Sequence, residues 1–224
     1  MKNRVLEALP ARDRRLLSMQ FTEVNLPRGT VLFEAGTTPE YVYFPIGAMV
    51  SYLSSTADGQ SIETGLVGNE GVVGVATIFG NVAAFRAIVQ IAGPALRISA
   101  GSLKREFHRS DGLRDVFLAY ANALLIQIAQ TAVCNKFHSV EARLCRWLLM
   151  AHDRSASNPL TVTHDNIGRI LGTRRATITI VAGKLQRTGA IHYSRGVIRI
   201  VNRSILEAAV CECYATISAA HDGF

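Results

Sequence analysis

The spacing of hydrophobic and polar positions changes several times along the chain, and each change marks a different kind of element. Apolar residues in 1–24 recur at helical intervals, which predicts one or two short helices. From residue 26 to residue 98, short runs of β-branched and aromatic residues are separated by turns that contain glycine or proline. Many short strands at regular intervals are typical of a sandwich, a barrel or a β-roll. The predicted strands are 30–33, 41–44, 49–54, 61–66 and 86–98.

One long helix is predicted over residues 111–137, after a short helix at 103–107. Its two apolar lines have to be covered on two sides, so we expect the β-domain to cover one and a second copy of the helix to cover the other. Burial of the helix within one subunit is the alternative. The first line, predicted to be the dimer seam, contains Leu113, Phe117, Tyr120, Leu124, Gln127 and Thr131, and the second contains Leu118, Ala121, Leu125, Ile128 and Ala132.

Residues 160–189 have the pattern of two short helices joined by a tight turn. Thr163 is a suitable N-cap for the first helix, and Gly172 suits the turn because glycine accepts positive φ at little cost. The second helix has a polar, basic face opposite its apolar one. This arrangement is typical of the helix-turn-helix, whose second helix can enter the major groove of DNA. The apolar positions expected to face inward are Ile178, Val181 and Leu185.

A predicted β-hairpin follows directly, with strands at 190–193 and 197–201 and a turn at 194–196. A hairpin in this position is a wing, and its tip can reach a DNA phosphate. Between Thr161 and Arg203 there are eight basic residues and one acidic residue, a net +7 that equals the net charge of the whole chain. An ordinary helical hairpin with a solvated basic face is the alternative to DNA binding. The candidate DNA-contacting residues are Thr163, Arg174, Arg175, Thr177, Thr179, Lys184, Arg187, Ser194 and Arg195.

Two further helices are predicted, at 140–152 and 205–217, with a loop at 153–159. The four cysteines have no metal-ligand spacing. Cys211 and Cys213 lie in the last predicted helix and should point to different sides, so neither a shared disulfide nor a shared metal is favoured. We expect buried thiols, no metal and no cofactor.

The composition suits a soluble globular protein, with 224 residues, 49% hydrophobic and 18% charged. No apolar run is expected to reach the roughly 18–20 residues of a membrane span, and the basic N-terminus has no apolar stretch typical of a signal peptide. We therefore expect a cytoplasmic protein with no membrane partner. The glycine-rich stretch 65–74 lacks the lysine and hydroxyl residue of a phosphate loop, so turn glycines are favoured there, with an anion-cradling turn left open.

A β-roll, a long helix and a winged helix-turn-helix, in this order, resemble the Crp/Fnr family of bacterial transcription regulators. The resemblance covers nearly the whole chain and is carried by LPRGTVLFEAG (26–36), YVYFPIGAMVS (41–51), SVEARLCRWLL (139–149), DNIGRILGTRRATI (165–178) and YSRGVIRIVNRSILE (193–207). The last of these looks like a branch of the family without a known effector. The resemblance implies an α+β fold with a sensor-like β-roll at 1–110, a dimerisation helix at 111–138 and a DNA-binding domain at 139–224.

The resemblance also shows where this chain departs from family members that bind cyclic AMP. Those members use a glycine–glutamate pair for the ribose and an arginine followed by serine or threonine for the phosphate. Here valine follows the glycine and two alanines take the place of the phosphate-binding pair, so we expect no binding of cyclic AMP. Any ligand should be more apolar, or the β-roll has none and DNA binding is constitutive. The pocket positions are Gly74, Val75, Ala83, Ala84, Arg86 and Ile128.

The second helix of the helix-turn-helix departs too. The family's arginine–glutamate pair corresponds to Arg175 and Ala176, and a later arginine of the motif is replaced by Ile180. Arg175 keeps the ability to read guanine with two hydrogen bonds, and Arg174 is an added candidate for base or phosphate. The half-site should therefore differ from that of the well-known members.

The sequence favours a homodimeric regulator that binds double-stranded DNA and works with RNA polymerase over two other classes of function. An enzyme or small-molecule binder would need paired carboxylates, a nucleophile triad or a metal cluster, and the six histidines are scattered. An interaction module that has lost its DNA site is disfavoured by the retained arginines and wing. The sequence therefore predicts a regulator rather than an enzyme.

Overall fold

The computed structural model describes residues 3–80, 82–155 and 158–223. The N-terminal domain begins with α1 (Arg4–Ala8) and α2 (Ala11–Ser18), as predicted. Strands β1 (Thr22–Leu26), β2 (Val31–Phe33), β3 (Tyr41–Pro45), β4 (Met49–Ser55) and β5 (Ser61–Val67) follow. Next come α3 (Ala76–Phe79), β6 (Arg86–Ile91), β7 (Gly93–Ser99) and α4 (Ala100–Arg109), and then α5 (Asp111–Phe137).

The β-roll consists of two antiparallel sheets. Their strand orders are β1-β7-β3 and β2-β6-β4-β5, and the two sheets enclose a core that α4 and α5 close from one side. The predicted fold class is confirmed, with differences in detail. The strand predicted at 86–98 is two strands, and β1 lies where the apolar spacing had predicted the end of a helix.

The face of α5 that packs on the β-roll is the opposite of the one expected. The first apolar line is between 0% and 7% exposed because its side chains fill the core of their own chain. Tyr120 donates its hydroxyl to the Val72 carbonyl at 2.9 Å, and Gln127 donates to the Leu66 carbonyl at 3.0 Å. The predicted dimer seam is therefore corrected, since these six residues are occupied within the subunit: Leu113, Phe117, Tyr120, Leu124, Gln127 and Thr131.

The second apolar line of α5 is partly exposed to solvent, with Ala121 and Ile128 half-buried. Leu118 is 52% exposed and Leu125 is 65% exposed, with Ala132 exposed one turn beyond Ile128. Because both of its sides are apolar, α5 is hydrophobic enough, and with 27 residues long enough, to cross a membrane by length and composition alone. An 18-residue segment of α5 has a mean hydropathy of 1.6, and 33% of that segment is buried. The expectation that no apolar run reaches that length is thus wrong. A helix that packs on a protein core with one side and exposes apolar residues on the other has the same length and hydropathy as a membrane-spanning helix.

The C-terminal domain contains α6 (Val140–Arg154), β8 (Leu160–Thr161), α7 (His164–Ile170), α8 (Arg175–Arg187), β9 (Ile191–Ser194) and β10 (Val197–Ile200), followed by α9 (Arg203–Ala209) and α10 (Cys213–Asp222). The strands form one small antiparallel sheet in the order β8-β10-β9. Trp147 of α6 is 1% exposed at the centre of the domain core.

The single helix predicted at 205–217 is wrong. The chain becomes extended at Val210, where ψ is 154°, and this break separates α9 from α10. Cys211 and Cys213 therefore lie in and just after a sharp turn rather than on opposite sides of one helix, and both contact the region of Cys134 on α5. The expectation that Cys211 and Cys213 point to different sides is corrected by this turn, because both side chains approach Cys134.

A buried polar contact joins the two domains. Arg154, the last residue of α6, donates to the Leu66 carbonyl at 2.5 Å and to Gln127 Oε1 at 2.6 Å, and its Nε lies 3.3 Å from the Glu70 carboxylate. Gly68 is required here because an added Cβ would lie 2.6 Å from the Arg154 carbonyl oxygen. The approach of α6 to the β-roll depends on that glycine.

Glu63 of β5 is another buried polar group of the β-roll. It is 8% exposed, and its carboxylate accepts a short hydrogen bond from the Ser51 hydroxyl. Burial raises the pKa of Glu63 to about 7, although the Ser51 hydrogen bond and the charges of Arg146 and Arg154 act in the opposite direction.

Candidate nucleic-acid interface

Helix α7 and the turn that follows it are set by local hydrogen bonds. The Thr163 hydroxyl accepts from the Asn166 backbone N–H at 3.2 Å, so Thr163 is the N-cap of α7 as predicted. Gly172 has φ +57°, the left-handed conformation that the tight turn requires. The Thr173 N–H then donates to the Gly168 carbonyl at 2.8 Å, which fixes the start of α8.

Helix α8 buries one face and exposes the other. Ile178, Ala182 and Leu185 are at most 1% exposed, and they hold the helix against the domain core. Val181 is only half-buried, so it contributes less than predicted. Ile180 is 71% exposed, which places an apolar side chain on the otherwise polar outer face. The predicted contact residues exposed on this face are Arg174, Arg175, Thr179, Lys184 and Arg187, while Thr177 is half-buried.

The basic side chains differ in what they are bonded to. Lys184 Nζ lies 2.6 Å from the Glu141 carboxylate of α6, so part of its charge is compensated within the domain. Arg203 donates to Asp153 at 2.5 Å and to Glu207 at 2.7 Å, and its charge therefore serves the contact between α6 and α9. Arg174 and Arg175 begin α8 and are exposed beside the turn. Both remain candidates for contact with DNA.

The wing is a two-residue hairpin. Strands β9 and β10 pair in register from Ser194 with Val197 to Ile191 with Ile200. Arg195 and Gly196 both have positive φ, at 49° and 80°, which matches the twist of a tight hairpin turn. Ser194 and Arg195 are exposed at the tip, as the sequence predicted.

His164 connects the wing to α8, a role that the sequence pattern did not indicate. Its ring stacks on Tyr193 of β9 with centroids 3.9 Å apart, and its Nδ1 lies 3.0 Å from the Thr179 hydroxyl. Partial burial, and next the charge of Arg175, lower the pKa of His164. The ring contacts the second helix and the wing from the first helix, so it holds these three elements together.

The residues assigned by resemblance to a cyclic-nucleotide pocket surround an aromatic core. Tyr52 of β4 is 3% exposed and stacks on Phe85 with centroids 5.5 Å apart. The Gly74 N–H donates to the Tyr52 hydroxyl at 3.2 Å, so a protein group already uses this backbone donor. Ala83 is buried, Ala84 is exposed, and Val75 and Ile128 add only apolar surface.

Arg86 does not supply the missing charge in this arrangement. Its Nε lies 3.3 Å from the Glu34 carboxylate, and its side chain is 42% exposed. The described residues at these six positions therefore offer a cyclic nucleotide neither a free cation for its phosphate nor a carboxylate for its ribose.

Comparison with known families identifies both domains. Residues 23–110 match the cyclic nucleotide-binding domain, and residues 142–209 match the Crp-like helix-turn-helix domain. No protein of curated function matches the chain by sequence.

Solved structures show the same fold at low identity. FixK2 from Bradyrhizobium japonicum is 17% identical with a TM-score of 0.73, covering 85% of this chain and 98% of its own. CLP, the c-di-GMP responsive global regulator from Xanthomonas campestris, is 19% identical with a TM-score of 0.67, covering 86% of this chain and 100% of its own. A CRP/FNR-family transcriptional regulator from Thermus thermophilus is 18% identical with a TM-score of 0.67, and the match covers 84% of this chain and 97% of the regulator.

Proposed function

The chain belongs to the Crp/Fnr family of DNA-binding transcription regulators, and on that premise we propose that it binds a palindromic DNA site as a homodimer, with a β-roll that does not respond to cyclic AMP. The single observation that carries this proposal is the outer face of α8, where Arg174, Arg175 and Thr179 are exposed next to a wing with Arg195 at its tip.

Recognition of DNA follows from the geometry of these elements. Helix α8 has the length and polar face of a helix that enters a major groove, and Arg175 in its first turn can donate two hydrogen bonds to a guanine. The exposed Ile180 offers an apolar contact to a thymine methyl group. Arg195 on the wing and Arg187 at the end of α8 are placed for phosphates, which fix register without reading sequence.

Dimerisation through the second line of α5 is supported by the burial pattern. Leu118 and Leu125 are large apolar side chains more than half exposed and seven residues apart, and Ala121 and Ile128 extend the same stripe. This spacing is that of a coiled-coil seam, and two copies of the stripe can cover each other. Two-fold pairing of the long helices would present two α8 helices to successive major grooves.

The β-roll is proposed to have lost the cyclic-nucleotide response while keeping the fold. A cyclic phosphate placed against Ala83 would lose water without gaining a charged partner, which makes binding unfavourable. The proposed place of action is the cytoplasm, where RNA polymerase is the expected second partner on promoter DNA.

The decisive experiment is selection of double-stranded DNA from a random library by the purified protein, followed by affinity titrations at several salt concentrations. We expect an inverted repeat whose half-site centres are one helical turn or a multiple apart, and an affinity that falls steeply as salt rises. Arg12→Ala, which removes an exposed charge on α2 and outside the helix-turn-helix and the wing, is the matched control and should leave affinity unchanged. Recovery of no enriched sequence would overturn the proposal.

A further inference from the structure

Four side chains that can bind a metal meet at the C-terminal end of α5. Cys134 lies in the last turn of that helix, and His138 is the residue that ends it. Cys211 lies in the turn between α9 and α10, and Cys213 is the first residue of α10, both more than seventy residues later in the chain. The three sulfur atoms and the imidazole nitrogen all lie within 4.8 Å of one another.

The separations are close to those of a tetrahedral zinc site. The Sγ atoms of Cys134 and Cys211 are 3.5 Å apart, and Cys213 Sγ is 3.3 Å from His138 Nδ1. Zinc bonds of about 2.3 Å to sulfur and about 2.0–2.1 Å to nitrogen place tetrahedral ligand atoms roughly 3.5–3.8 Å apart. A small relaxation of the side chains is enough to receive the ion.

The surroundings orient the ligands in the way that metal sites use. His138 Nε2 lies 3.3 Å from the Glu212 carboxylate, which leaves Nδ1 facing the cysteines. Gln130 donates its amide N–H to Cys213 Sγ at 3.2 Å, a contact that favours a thiolate at that sulfur.

We propose that Cys134, His138, Cys211 and Cys213 bind one zinc ion as a structural site. Three thiolates and one imidazole complete a tetrahedron, so the ion has no open position for catalysis. Buried cysteines often act only as small apolar residues, but that role requires neither the imidazole nor the Gln130 and Glu212 contacts. A Cys134–Cys211 disulfide would use two of the four groups and leave the other two without a function.

The site lies at the junction between the dimerisation helix and the DNA-binding domain. His138 ends α5, and Ser139 is the N-cap of α6, so the ion would fix the direction in which the chain leaves the long helix. It would also tie that junction to the loop before α10. The inference goes beyond DNA recognition, because zinc binding does not depend on whether the chain binds DNA.

The test uses the full chain, purified under reducing conditions without a metal-affinity tag. We expect about one zinc per chain by elemental analysis, and competition against a chromophoric chelator should give a single tight site. Cys213→Ser should weaken zinc binding at least 100-fold. The matched control is Cys145→Ser, which changes the remaining buried cysteine, on α6 and outside the group, and should retain the zinc of the parent protein.

A gentler variant keeps the test valid if a cysteine variant fails to fold. Glu212 has a side chain that is 74% exposed, and Glu212→Gln removes only the contact that orients His138. It should weaken zinc binding roughly 10- to 100-fold. Cobalt should bind the parent protein with the intense visible bands of a tetrahedral thiolate site, and those bands should be lost in Cys213→Ser. Absence of zinc from the parent protein, equal affinity in Cys213→Ser, or a Cys134–Cys211 disulfide in the reduced protein would overturn the proposal.

Discussion

At the scale of single residues, the two arginines at the start of α8 have different expected roles from the basic residues at its end. Arg175 lies in the first turn of α8 and is exposed beside the turn glycine, whereas Arg187 is the last residue of the helix. A side chain that reaches a base edge discriminates between sequences, and one that reaches only a phosphate does not.

We therefore predict that Arg175→Ala costs about 1–3 kcal/mol of binding free energy and relaxes preference at one base pair per half-site. Arg187→Ala should instead weaken all sequences alike and reduce the salt dependence. The measurement is affinity for the selected site and for single-base variants of it. A uniform loss in Arg175→Ala would reassign this residue to backbone contact.

A second residue-scale prediction concerns Glu63. Its folded pKa of about 7 lies above the ordinary value of 4.5, so the folded state holds a proton that the unfolded state releases between these pH values. The free energy of unfolding should therefore fall as pH rises from about 4.5 to 7, by up to about 1.4 kcal/mol per pH unit from this group. Below 4.5 the contribution is fully present.

Glu63→Gln should remove this part of the pH dependence, because the amide cannot ionise. Denaturant titrations of both proteins across pH 4.5–7 give the difference directly. Glu23→Gln, at an exposed position of β1, is the control and should follow the parent protein. Identical pH profiles for the parent and Glu63→Gln would mean that Glu63 has an ordinary pKa.

Prediction from the sequence succeeded at residues whose roles are local. The Thr163 cap, the Gly172 turn and the Arg195 hairpin depend on a few neighbouring residues, and each is where the pattern placed it. The grouping of Cys134 with Cys211 was not predictable in this way. It depends on the break at Val210, where no proline or glycine interrupts the apolar pattern.

At the scale of elements, α5 separates what a pattern can and cannot determine. Its bounds, 111–137, follow from helical periodicity and are those of the structure. The face of α5 that packs on the β-roll does not follow from the sequence, because both faces carry large apolar residues. The polar residues of the first line could have indicated that this line packs on the β-roll. Tyr120 and Gln127 need hydrogen-bond partners when buried, and the β-roll backbone supplies them.

This assignment gives a prediction for the dimer. Leu125→Asp would place a charge in the middle of the exposed stripe, so sedimentation should show monomer and affinity for the palindromic site should collapse. Met19→Asp makes a similar change at a side chain that is 73% exposed on the end of α2, and should stay dimeric. A dimeric Leu125→Asp protein would place the interface on another surface.

At the scale of the whole molecule, the β-roll keeps the architecture of a sensor while its centre is filled by aromatic side chains. We predict that cyclic AMP and cyclic GMP do not bind in the micromolar range and do not change DNA affinity. Each missing charged or buried polar contact costs on the order of 1–3 kcal/mol, and several are missing together. Calorimetric titration is the measurement. Micromolar binding that is lost in Arg86→Ala would show that Arg86 leaves Glu34 to hold the phosphate.

The buried contact of Arg154 has a consequence for how the protein unfolds. Chains with two domains often unfold in two steps, but here one side chain bonds β5, α5 and Glu70 together below the surface. We expect a single cooperative transition, in which the fluorescence of Trp147, the one tryptophan, and the far-ultraviolet circular dichroism change at the same temperature. The C-terminal domain would then unfold together with the β-roll, so its stability would depend on that of the β-roll. A substitution that weakens the β-roll core would lower the fraction of chains able to bind DNA, although it lies far from any base.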